Sequence, residues 1–282
     1  MTRFGKSPAD SPADSPAAKS PADSLAQQLI ARLARRYEAQ IMRQNGGQRI
    51  IRILADTLLP LLCPDCRAPL AGAGLCGQCW SGLQAIEEPL CRCCGRGLPH
   101  QLPDNLCLAC HLNPPPLGRI RAGYLYNDAS RRLLLPFKHG DRLDLGPVLA
   151  QLLAPAFGRL AEPGMLVLPV PLHRTRYFKR RYNQSAELAR LLCASPAGRG
   201  LRPAPGLLRR VRATRQMGGL GPAARQRNVK NAFALSRPLI AGQPILLIDD
   251  VMTTGATLHE AARCLKKAGA GQVDALVFAR VG

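Results

Sequence analysis

Four Cys-x-x-Cys pairs crowd into residues 63–110 of this 282-residue chain and constrain its fold more than any other feature. Each pair can place two thiolates on one tetrahedral zinc ion, so four pairs supply the ligands for two closed sites. A closed site of four cysteines holds zinc for structure rather than for catalysis. The pattern therefore predicts a double zinc ribbon with two structural Zn²⁺ ions. The eight predicted ligands are Cys63, Cys66, Cys76, Cys79, Cys91, Cys94, Cys107 and Cys110.

The spacing of the pairs leaves two points open. It does not say whether neighbouring or interleaved pairs share an ion, and redox-active pairs or an iron–sulfur cluster would use the same residues. Zinc is favoured because this segment has few apolar side chains for a core, and structural zinc contributes roughly 10–16 kcal/mol of apparent binding free energy. Cys93 lies inside the third pair and is a spare.

The residues before the cysteine pairs divide into two parts. Residues 1–24 include a repeat of Ser, Pro, Ala and Asp that cannot bury a core, so a disordered tail is expected there. Residues 25–58 begin with a basic amphipathic helical pattern, and such a helix usually packs on its own protein. With no signal peptide and no integral membrane segment in the pattern, a soluble cytoplasmic protein is expected. Met42 is an alternative start of the protein, and the residues before it would then be an extension.

Beyond the cysteine pairs, apolar runs alternate with helical patterns. Near-continuous apolar strands separated by helices indicate an α/β fold with a parallel sheet that is covered on both faces. The loop at 112–119 is the expected boundary between the two regions. The predicted strands are 120–126, 165–171, 244–250 and 272–281, and the predicted helices are 129–139, 145–157, 184–195 and 257–269.

The stretch ILLIDDVMTTGATLHEA, residues 245–261, carries the chemistry of the second region. A buried strand ends at Asp249 and Asp250, at the edge of a parallel sheet where ligands bind. The segment 253–257 then opens a helix, whose free backbone N–H groups, threonine hydroxyls and dipole favour a phosphate. One ligand with a phosphate at one end, and hydroxyls or Mg²⁺ at the other, would suit both the segment 253–257 and the aspartate pair. A ribose 5-phosphate fits this description, and the absence of GxxxxGK[ST] excludes a Walker-type loop.

The stretch 247–257 looks like the phosphoribosyl pyrophosphate (PRPP) motif of type I phosphoribosyltransferases. More narrowly, residues 60–282 resemble the ComF family, including its GntX-like members, in which a double zinc ribbon precedes the transferase domain. One departure is Arg181, where the family tends toward glycine before an aromatic-Asn-Gln-Ser motif. The other stretches that carry the resemblance are Cys63–Trp80, Pro136–Arg142, Val170–Leu172, Tyr182–Ser185, Thr214–Gln216 and Arg225–Phe233.

The resemblance implies an organisation and a set of site residues. The ribbon would occupy 59–115 and a phosphoribosyltransferase domain 119–282. Asp249 and Asp250 would be the catalytic pair that holds the ribose hydroxyls, with Mg²⁺ as a second cofactor beside Zn²⁺. The residues that would bind PRPP are Val170, Pro171, Lys138, Arg212, Arg227, Val251, Met252, Thr253, Thr254, Gly255, Ala256 and Thr257.

The strong positive charge of the chain predicts that it binds an anionic partner. The formal net charge is +21, and residues 173–230 hold fifteen lysines and arginines against a single acid, Glu187. Within that stretch, the resemblance implies that residues 209–230 are a mobile loop that closes over pyrophosphate. The same arginines suit the backbone of single-stranded DNA. The first functional hypothesis is therefore a Mg²⁺-dependent phosphoribosyltransferase or PRPP-binding protein, linked by the resemblance to competence and DNA uptake.

The alternative is a non-catalytic accessory protein that handles single-stranded DNA during natural transformation, with proteins of the competence machinery as further partners. A zinc-ribbon adaptor for another protein is a third and weaker reading. Aromatic side chains for base stacking are sparse in the basic stretch, so the residues allow DNA binding without requiring it. The acceptor of a phosphoribosyl group is not readable from the sequence.

Overall fold

The computed structural model describes residues 61–140, 142–214, 219 and 221–282, which fall in one compact unit. The tail predicted at 1–24 and the helical segment predicted at 25–58 lie outside these residues. The described helices are α1 (Gly77–Ser81), α2 (Leu108–Leu112), α3 (Asp128–His139), α4 (Leu145–Leu160), α5 (Arg174–Arg180), α6 (Gln184–Ala194), α7 (Pro222–Val229) and α8 (Ala256–Lys267), with a 3₁₀ turn at Pro196–Gly198. The described strands are β1 (Ile120–Leu125), β2 (Leu166–Pro169), β3 (Arg202–Pro203), β4 (Leu208–Arg210), β5 (Phe233–Leu235), β6 (Ile245–Met252) and β7 (Val273–Arg280).

A five-stranded parallel sheet in the order β1-β7-β6-β2-β3 forms the centre of the described region. Strand β7 is buried along its whole length, and the central strand β6 is buried over its first four residues. Strands buried on both faces carry apolar side chains at successive positions, which is why both read as continuous apolar runs in the sequence. The predicted α/β fold with a parallel sheet is therefore confirmed.

Successive side chains of β6 point into two different cores. Leu246 and Ile248 pack with residues of α3, α4 and α6 on one face of the sheet. Leu247 packs on the other face with α8 and with the separate antiparallel pair β4–β5. Because a strand alternates its side chains between two faces, one apolar run supplies both cores. The carboxyl end of β6 is thereby fixed between two packed layers.

The chain that follows the first two cysteine pairs covers the outer edge of β1. The Leu125 N–H donates to the Gln84 carbonyl at 2.8 Å, and the Ile86 N–H donates to the Gly123 carbonyl at 3.2 Å. An uncovered edge strand presents unpaired backbone groups that invite pairing with other chains. The cysteine-rich segment therefore completes the sheet on this side.

Most elements predicted from residue 119 onward occur within a few residues of their predicted bounds. The helix predicted at 145–157 continues to Leu160, and the strand predicted at 244–250 continues to Met252. Helices α5 and α7, strand β3 and the pair β4–β5 had no counterpart in the prediction. All of these except β5 lie in the basic stretch 173–230, where charged side chains interrupt the apolar periodicity, and β5 is only three residues long.

Candidate active site and metal centres

The eight predicted cysteine ligands form two clusters. Within each cluster, the four Sγ atoms lie within 4.8 Å of one another. Neighbouring pairs share a cluster, which settles the question that the spacing left open. The first cluster is Cys63, Cys66, Cys76 and Cys79, and the second is Cys91, Cys94, Cys107 and Cys110.

The distances between sulfur atoms fit zinc. Cys66 Sγ lies 3.5 Å from Cys76 Sγ, and Cys94 Sγ lies 3.7 Å from Cys107 Sγ. A disulfide would need about 2.0 Å, whereas a tetrahedron with Zn–S bonds of about 2.3 Å has edges of about 3.8 Å. The two clusters are therefore suited to two structural zinc ions, as predicted.

Cys63 and Cys91 take equivalent places in the two clusters. Their thiols accept hydrogen bonds from the backbone N–H groups of Cys76, at 3.5 Å, and of Cys107, at 3.4 Å. Burial opposes ionisation of both thiols, but backbone hydrogen bonds outweigh it and lower the pKa of Cys63 and of Cys91 to about 6. Since the thiolate is the form that binds metal, these bonds prepare both clusters for zinc.

The loop after β6 has the backbone geometry that a phosphate cradle needs. Gly255 sits at the N-cap of α8 with φ of 74°, a left-handed conformation that favours glycine. A side chain there would also meet the His259 ring, whose Nε2 atom would lie 3.0 Å from an added Cβ. Thr253 and Thr254 are exposed beside it, just before the N-terminus of this twelve-residue helix. The first N–H groups of a helix have no helical partner and can bind a phosphate.

The two aspartates at the end of β6 have different partners. Asp249 Oδ1 accepts hydrogen bonds from Ser185 Oγ at 3.0 Å and from the Asp250 N–H at 2.9 Å. Asp250 Oδ2 forms an ion pair with Lys138 Nζ at 2.7 Å. Burial, together with the charge of Asp250, raises the pKa of Asp249 to about 7, although Lys138 opposes that rise. The pair therefore combines one carboxylate held by a lysine with one that titrates near neutral pH.

Asn183 links the start of α6 to the turn that follows β2. Its Nδ2 atom donates to the Val170 carbonyl at 3.0 Å, and its Oδ1 atom accepts from the Ser185 N–H at 3.1 Å. The second bond caps α6, since a side-chain oxygen at the N-cap satisfies a free N–H of the first turn. The same residue thus fixes the Val170 turn and aims Ser185 at Asp249.

The neighbours of Asn183 hold the end of α3 in place. Gln184 Nε2 donates to the Lys138 carbonyl at 3.0 Å, and the Tyr182 hydroxyl donates to the Phe137 carbonyl. The motif Tyr182–Ser185 therefore joins three parts of the site, namely α3 with Lys138, the Val170 turn and the aspartates. The sequence marked this motif only through family resemblance, without indicating these contacts.

Arg181, the one departure from the family pattern, adopts the left-handed conformation with φ of 64°. A side chain with a Cβ costs roughly 1–2 kcal/mol in this region, while glycine loses about 0.4–1 kcal/mol more through the entropy of the unfolded chain. We therefore expect Arg181→Gly to raise the free energy of unfolding by roughly 0.5–1 kcal/mol, measured by urea denaturation. Arg181→Ala removes the same charge but keeps the strain, so equal stabilisation by both variants would contradict this account.

A cavity of about 540 Å³ opens at this edge of the sheet. It brings together all the predicted residues of the aspartate–threonine stretch with Lys138, Val170 and Pro171. Arg212 and Arg227 are not among its lining residues, and their predicted role in binding stays a prediction. The additional lining side chains include Tyr126, Leu135, His139, Arg180, Gln184, Ser185, Arg210 and Arg225.

Arg212 joins the two ends of the basic loop instead. Its Nη2 atom donates to the Asn228 carbonyl at 2.9 Å and to the Lys230 carbonyl at 2.6 Å. Among the described residues of this loop, the cations that reach the cavity are Arg210 and Arg225. The Arg225 Nε atom is buried without a hydrogen-bond partner among the described groups. Sequence reasoning chose Arg212 and Arg227 from this cluster of cations, since nothing in the sequence of an irregular loop marks which of its arginines face the cavity.

His259 lies near the start of α8, next to the cradle. Its side chain is half-buried beneath Gly255, and burial, followed by the charge of Arg263, lowers the pKa of its imidazole. The ring is therefore neutral at physiological pH and acts as packing under the phosphate cradle.

The parallel sheet, the cradle at the end of β6 and the two cysteine clusters define a phosphoribosyltransferase-type domain joined to a double zinc ribbon. Models of both domains match this chain. The Double zinc ribbon domain matches residues 54–111, and the Phosphoribosyl transferase domain matches residues 172–282.

Curated relatives narrow the class to one family. The DNA utilization protein YhgH of Salmonella typhimurium is 34% identical over 231 residues, covering 79% of this chain and 98% of that protein. Competence protein F of Haemophilus influenzae is 30% identical over 231 residues, covering 77% of this chain and 96% of that protein. The chain belongs to this ComF family of competence and DNA utilization proteins.

Solved structures and hydropathy add little to this assignment. The protein TT1426 of Thermus thermophilus is 18% identical, covering 47% of this chain and 72% of its own, and its TM-score of 0.29 is too low to support a conclusion. Throughout the described ranges, none of the helices combines the length and apolar character that a membrane crossing requires.

Proposed function

We propose that this protein binds PRPP with Mg²⁺ at the cavity around β6 and transfers the phosphoribosyl group to an acceptor. The observation that carries the proposal is the meeting of two unlike groups in one cavity, an aspartate pair and a phosphate-type cradle. The cradle at 253–257 would hold the 5-phosphate. Asp249 and Asp250 would hold the ribose hydroxyls, since carboxylates are acceptors for hydroxyl groups.

The cavity also fits the anionic end of this ligand. Lys138, Arg210 and Arg225 line it, and the buried Nε atom of Arg225 has no partner among the described groups. A phosphate oxygen beside that atom would satisfy it, and charge-assisted bonds of this kind are the strong ones. The backbone at Val170 and Pro171 borders the same space and would lie beside the pyrophosphate.

The aspartate pair likewise suits Mg²⁺, which prefers carboxylate oxygens and substrate phosphates. Asp250 already satisfies its charge with a cation, the Lys138 ammonium at 2.7 Å. When bound, Mg²⁺ would neutralise charge that develops on the departing pyrophosphate. Lys138 would then be released from Asp250 toward the phosphates. Its side chain would pair with Asp250 in the ligand-free site and with phosphate in the occupied site.

Transfer breaks the bond between the anomeric carbon and a pyrophosphate oxygen, and forms a bond from that carbon to the acceptor. The pyrophosphate leaves with the bonding electron pair. Side chains of this protein would contribute by fixing the ribose through Asp249 and Asp250 and by meeting the leaving charge with Arg210 and Arg225. Such preorganised charge is commonly the largest catalytic effect in an enzyme site.

Thermal unfolding with ligands tests this proposal. PRPP with Mg²⁺ is expected to raise the melting temperature more than equal concentrations of ribose 5-phosphate or pyrophosphate with Mg²⁺, because only PRPP engages both ends of the cavity. No shift at millimolar PRPP would refute binding. Release of pyrophosphate only when a candidate acceptor is added would then distinguish a transferase from a binding protein.

The raised pKa of Asp249 predicts a pH dependence. Because the folded-state pKa is about 7 and the ordinary value is 3.8, the ligand-free protein keeps this proton where the unfolded chain loses it, and the stability it contributes is lost as pH rises through 7. PRPP with Mg²⁺ needs the ionised form, so its affinity should rise between pH 6 and 8. Calorimetric titration across this range measures the effect.

Ser185→Ala provides the control for this pH profile. The Ser185 hydroxyl lowers the pKa of Asp249, so its removal should move the midpoint of the profile to higher pH. Ionisation of PRPP itself is the same for both proteins and cancels in the comparison. Superimposable profiles for the wild type and Ser185→Ala would show that Asp249 does not govern the dependence.

A second candidate function is the binding of single-stranded DNA, favoured by a larger cavity of about 1210 Å³ next to the first. Tyr177, 49% exposed, and Tyr182 line it, offering ring faces on which bases stack. Arginines at its rim suit the phosphate backbone. The two cavities share Pro171, Leu172 and Arg210. The names of the relatives, DNA utilization protein and competence protein, agree with DNA as a partner. We also propose that the protein binds proteins of DNA uptake and that it is located in the cytoplasm.

Fluorescence anisotropy with a labelled oligothymidine tests the second function. Affinity should fall steeply with salt, and Tyr177→Ala should weaken binding by roughly 5- to 100-fold, since stacking on one aromatic side chain contributes about 1–3 kcal/mol. Arg159→Ala removes an exposed charge outside this cavity and should have little effect. Absent or salt-independent binding would exclude this function.

A further inference from the structure

The third cysteine pair docks closely on the edge of the sheet. The Ile120 N–H donates to the Cys93 carbonyl at 2.6 Å. Gly95 follows with φ of 64°, and a Cβ at that position would lie only 2.3 Å from the Ile120 carbonyl oxygen. A rigid glycine contact of this kind leaves no room for the second cluster to shift relative to β1.

Two arginines of the sheet reach this docked pair. The Arg280 side chain lies at the end of β7, and its residue is only 5% exposed. Its Nη1 atom donates to the Cys94 carbonyl at 2.6 Å. Arg121 on β1 donates from Nη1 to the Arg92 carbonyl at 3.1 Å. Both guanidinium groups therefore approach the second cluster from the transferase side.

The charge of Arg280 needs compensation that the sheet does not give. Its Nε atom is buried without a hydrogen-bond partner among the described residues, and a buried charge is costly unless it is paired. Four thiolates around one Zn²⁺ keep a net negative charge, which would balance this arginine.

The backbone of Arg280 is equally close to the phosphate cavity. Arg280 pairs with Met252 in the parallel register of β7 and β6, and the Val281 N–H donates to the Met252 carbonyl at 2.9 Å. The Tyr126 N–H donates to the Arg280 carbonyl at 2.7 Å. Met252 and Tyr126 both line the cavity. One residue thus contacts the second cluster through its side chain and two cavity residues through adjacent backbone bonds.

The first cluster is held by more exposed side chains. Arg142, whose side chain is 32% exposed, donates from Nη2 to the Pro64 carbonyl at 3.3 Å. The links of this cluster to the helices also include an ion pair between Asp65 and Arg132 at 3.1 Å, in which the Arg132 side chain is 54% exposed. Exposed ion pairs contribute about 0–1 kcal/mol. The two clusters therefore differ in how they attach to the transferase domain.

We propose that Arg280 is a positioning residue that makes the order of the phosphate cavity depend on zinc in the second cysteine cluster. With zinc present, Arg280 is neutralised and holds the ends of β7 and β6. Loss of that zinc frees the loop that carries the Cys94 carbonyl, so Arg280 loses its partner in the second cluster and the strand ends at Met252 and Tyr126 loosen. The effect on ligand affinity rests on the proposed function, whereas the effect on order does not.

The test compares Arg280→Met and Arg280→Lys with Arg132→Met as the control at the first cluster. Zinc retention is measured by competition with the chelator 4-(2-pyridylazo)resorcinol, and order is measured by amide hydrogen exchange of peptides that cover 249–257 and 123–128. Arg280→Met should release one of the two zinc ions at roughly 10- to 100-fold lower chelator concentration, as expected for loss of a group that supports a metal ligand. Exchange in both peptides should be at least 10-fold faster.

Arg280→Lys keeps the charge and should retain zinc better than Arg280→Met, while Arg132→Met should leave exchange in both peptides unchanged. If Arg280→Met does not fold, the same exchange measurement on wild type stripped of one zinc ion replaces it. Unchanged exchange in Arg280→Met, or in the stripped wild type, overturns the proposal. A wild type that shows the zinc-dependent exchange but binds no PRPP overturns the proposed function alone.

Discussion

Replacement of Asp249 and Asp250 together by asparagine is expected to abolish the thermal stabilisation by PRPP and Mg²⁺. A ligand at 100 times its dissociation constant stabilises a protein by about 2.7 kcal/mol, which corresponds to roughly 5–10 °C for a domain of this size. Both carboxylates lie in the cavity, and asparagine keeps their shape while it removes the charge that a ribose–Mg²⁺ complex needs. The full shift should therefore disappear in the double variant.

The fold should survive this double substitution. Asp249 has a raised pKa because burial and its neighbour Asp250 oppose its ionisation, so its replacement by a neutral amide relieves repulsion. Loss of the partner of Lys138 has the opposite effect, but the lysine side chain is partly exposed and can reach water. Denaturation without ligand should show a similar midpoint for the double variant and the wild type.

Asp144→Asn is a matched control, because this carboxylate pairs with Arg142 at 2.7 Å at the start of α4 and does not line the cavity. It should keep the whole PRPP shift. A double variant at 249 and 250 that still responds to PRPP as the wild type does would move the binding site elsewhere. Equal loss in Asp144→Asn would mean that the change reflects overall charge instead.

The sheet was predictable because its strands follow a simple physical rule. A strand buried on both faces must be apolar at nearly every position, and β6 and β7 show this directly in the sequence. Helix α5, Arg174–Arg180, has no apolar face of that kind, since arginine and lysine occupy most of it. Its position depends on tertiary contacts that local periodicity does not encode.

The site was predictable where consecutive residues form it and not where distant segments meet. Asp249 to Thr257 are contiguous, so one stretch revealed both the carboxylates and the cradle. The contact from Ser185 to Asp249 joins residues 64 positions apart, and that from Arg280 to Cys94 joins residues 186 positions apart. Such contacts arise from the order of strands in the sheet. The sequence predicts a parallel sheet as a class of fold, but it does not give that order.

Zinc removal is expected to have the largest effect on stability. Among the described residues of 63–110, Leu83 is the only buried side chain that is apolar and not a cysteine, while Trp80 is 56% exposed. A segment with so small a core depends on its metals, and structural zinc contributes roughly 10–16 kcal/mol of apparent binding free energy. Purified protein should contain two zinc ions per chain by mass spectrometry of metals.

Single substitutions at the two clusters should reproduce this loss in separate steps. Cys63→Ser and Cys91→Ser should each lose one zinc ion and lower the melting temperature by more than about 10 °C, because a single zinc site stabilises by far more than the few kcal/mol that such a shift requires. Cys93→Ser is the control, since Cys93 lies between two ligands but outside both clusters. Protein that is purified without zinc, or that melts unchanged after loss of either cluster, would contradict a structural role. Because Cys91→Ser also loosens the Cys93 carbonyl from Ile120 and frees Arg280, it should destabilise the transferase domain more than Cys63→Ser does.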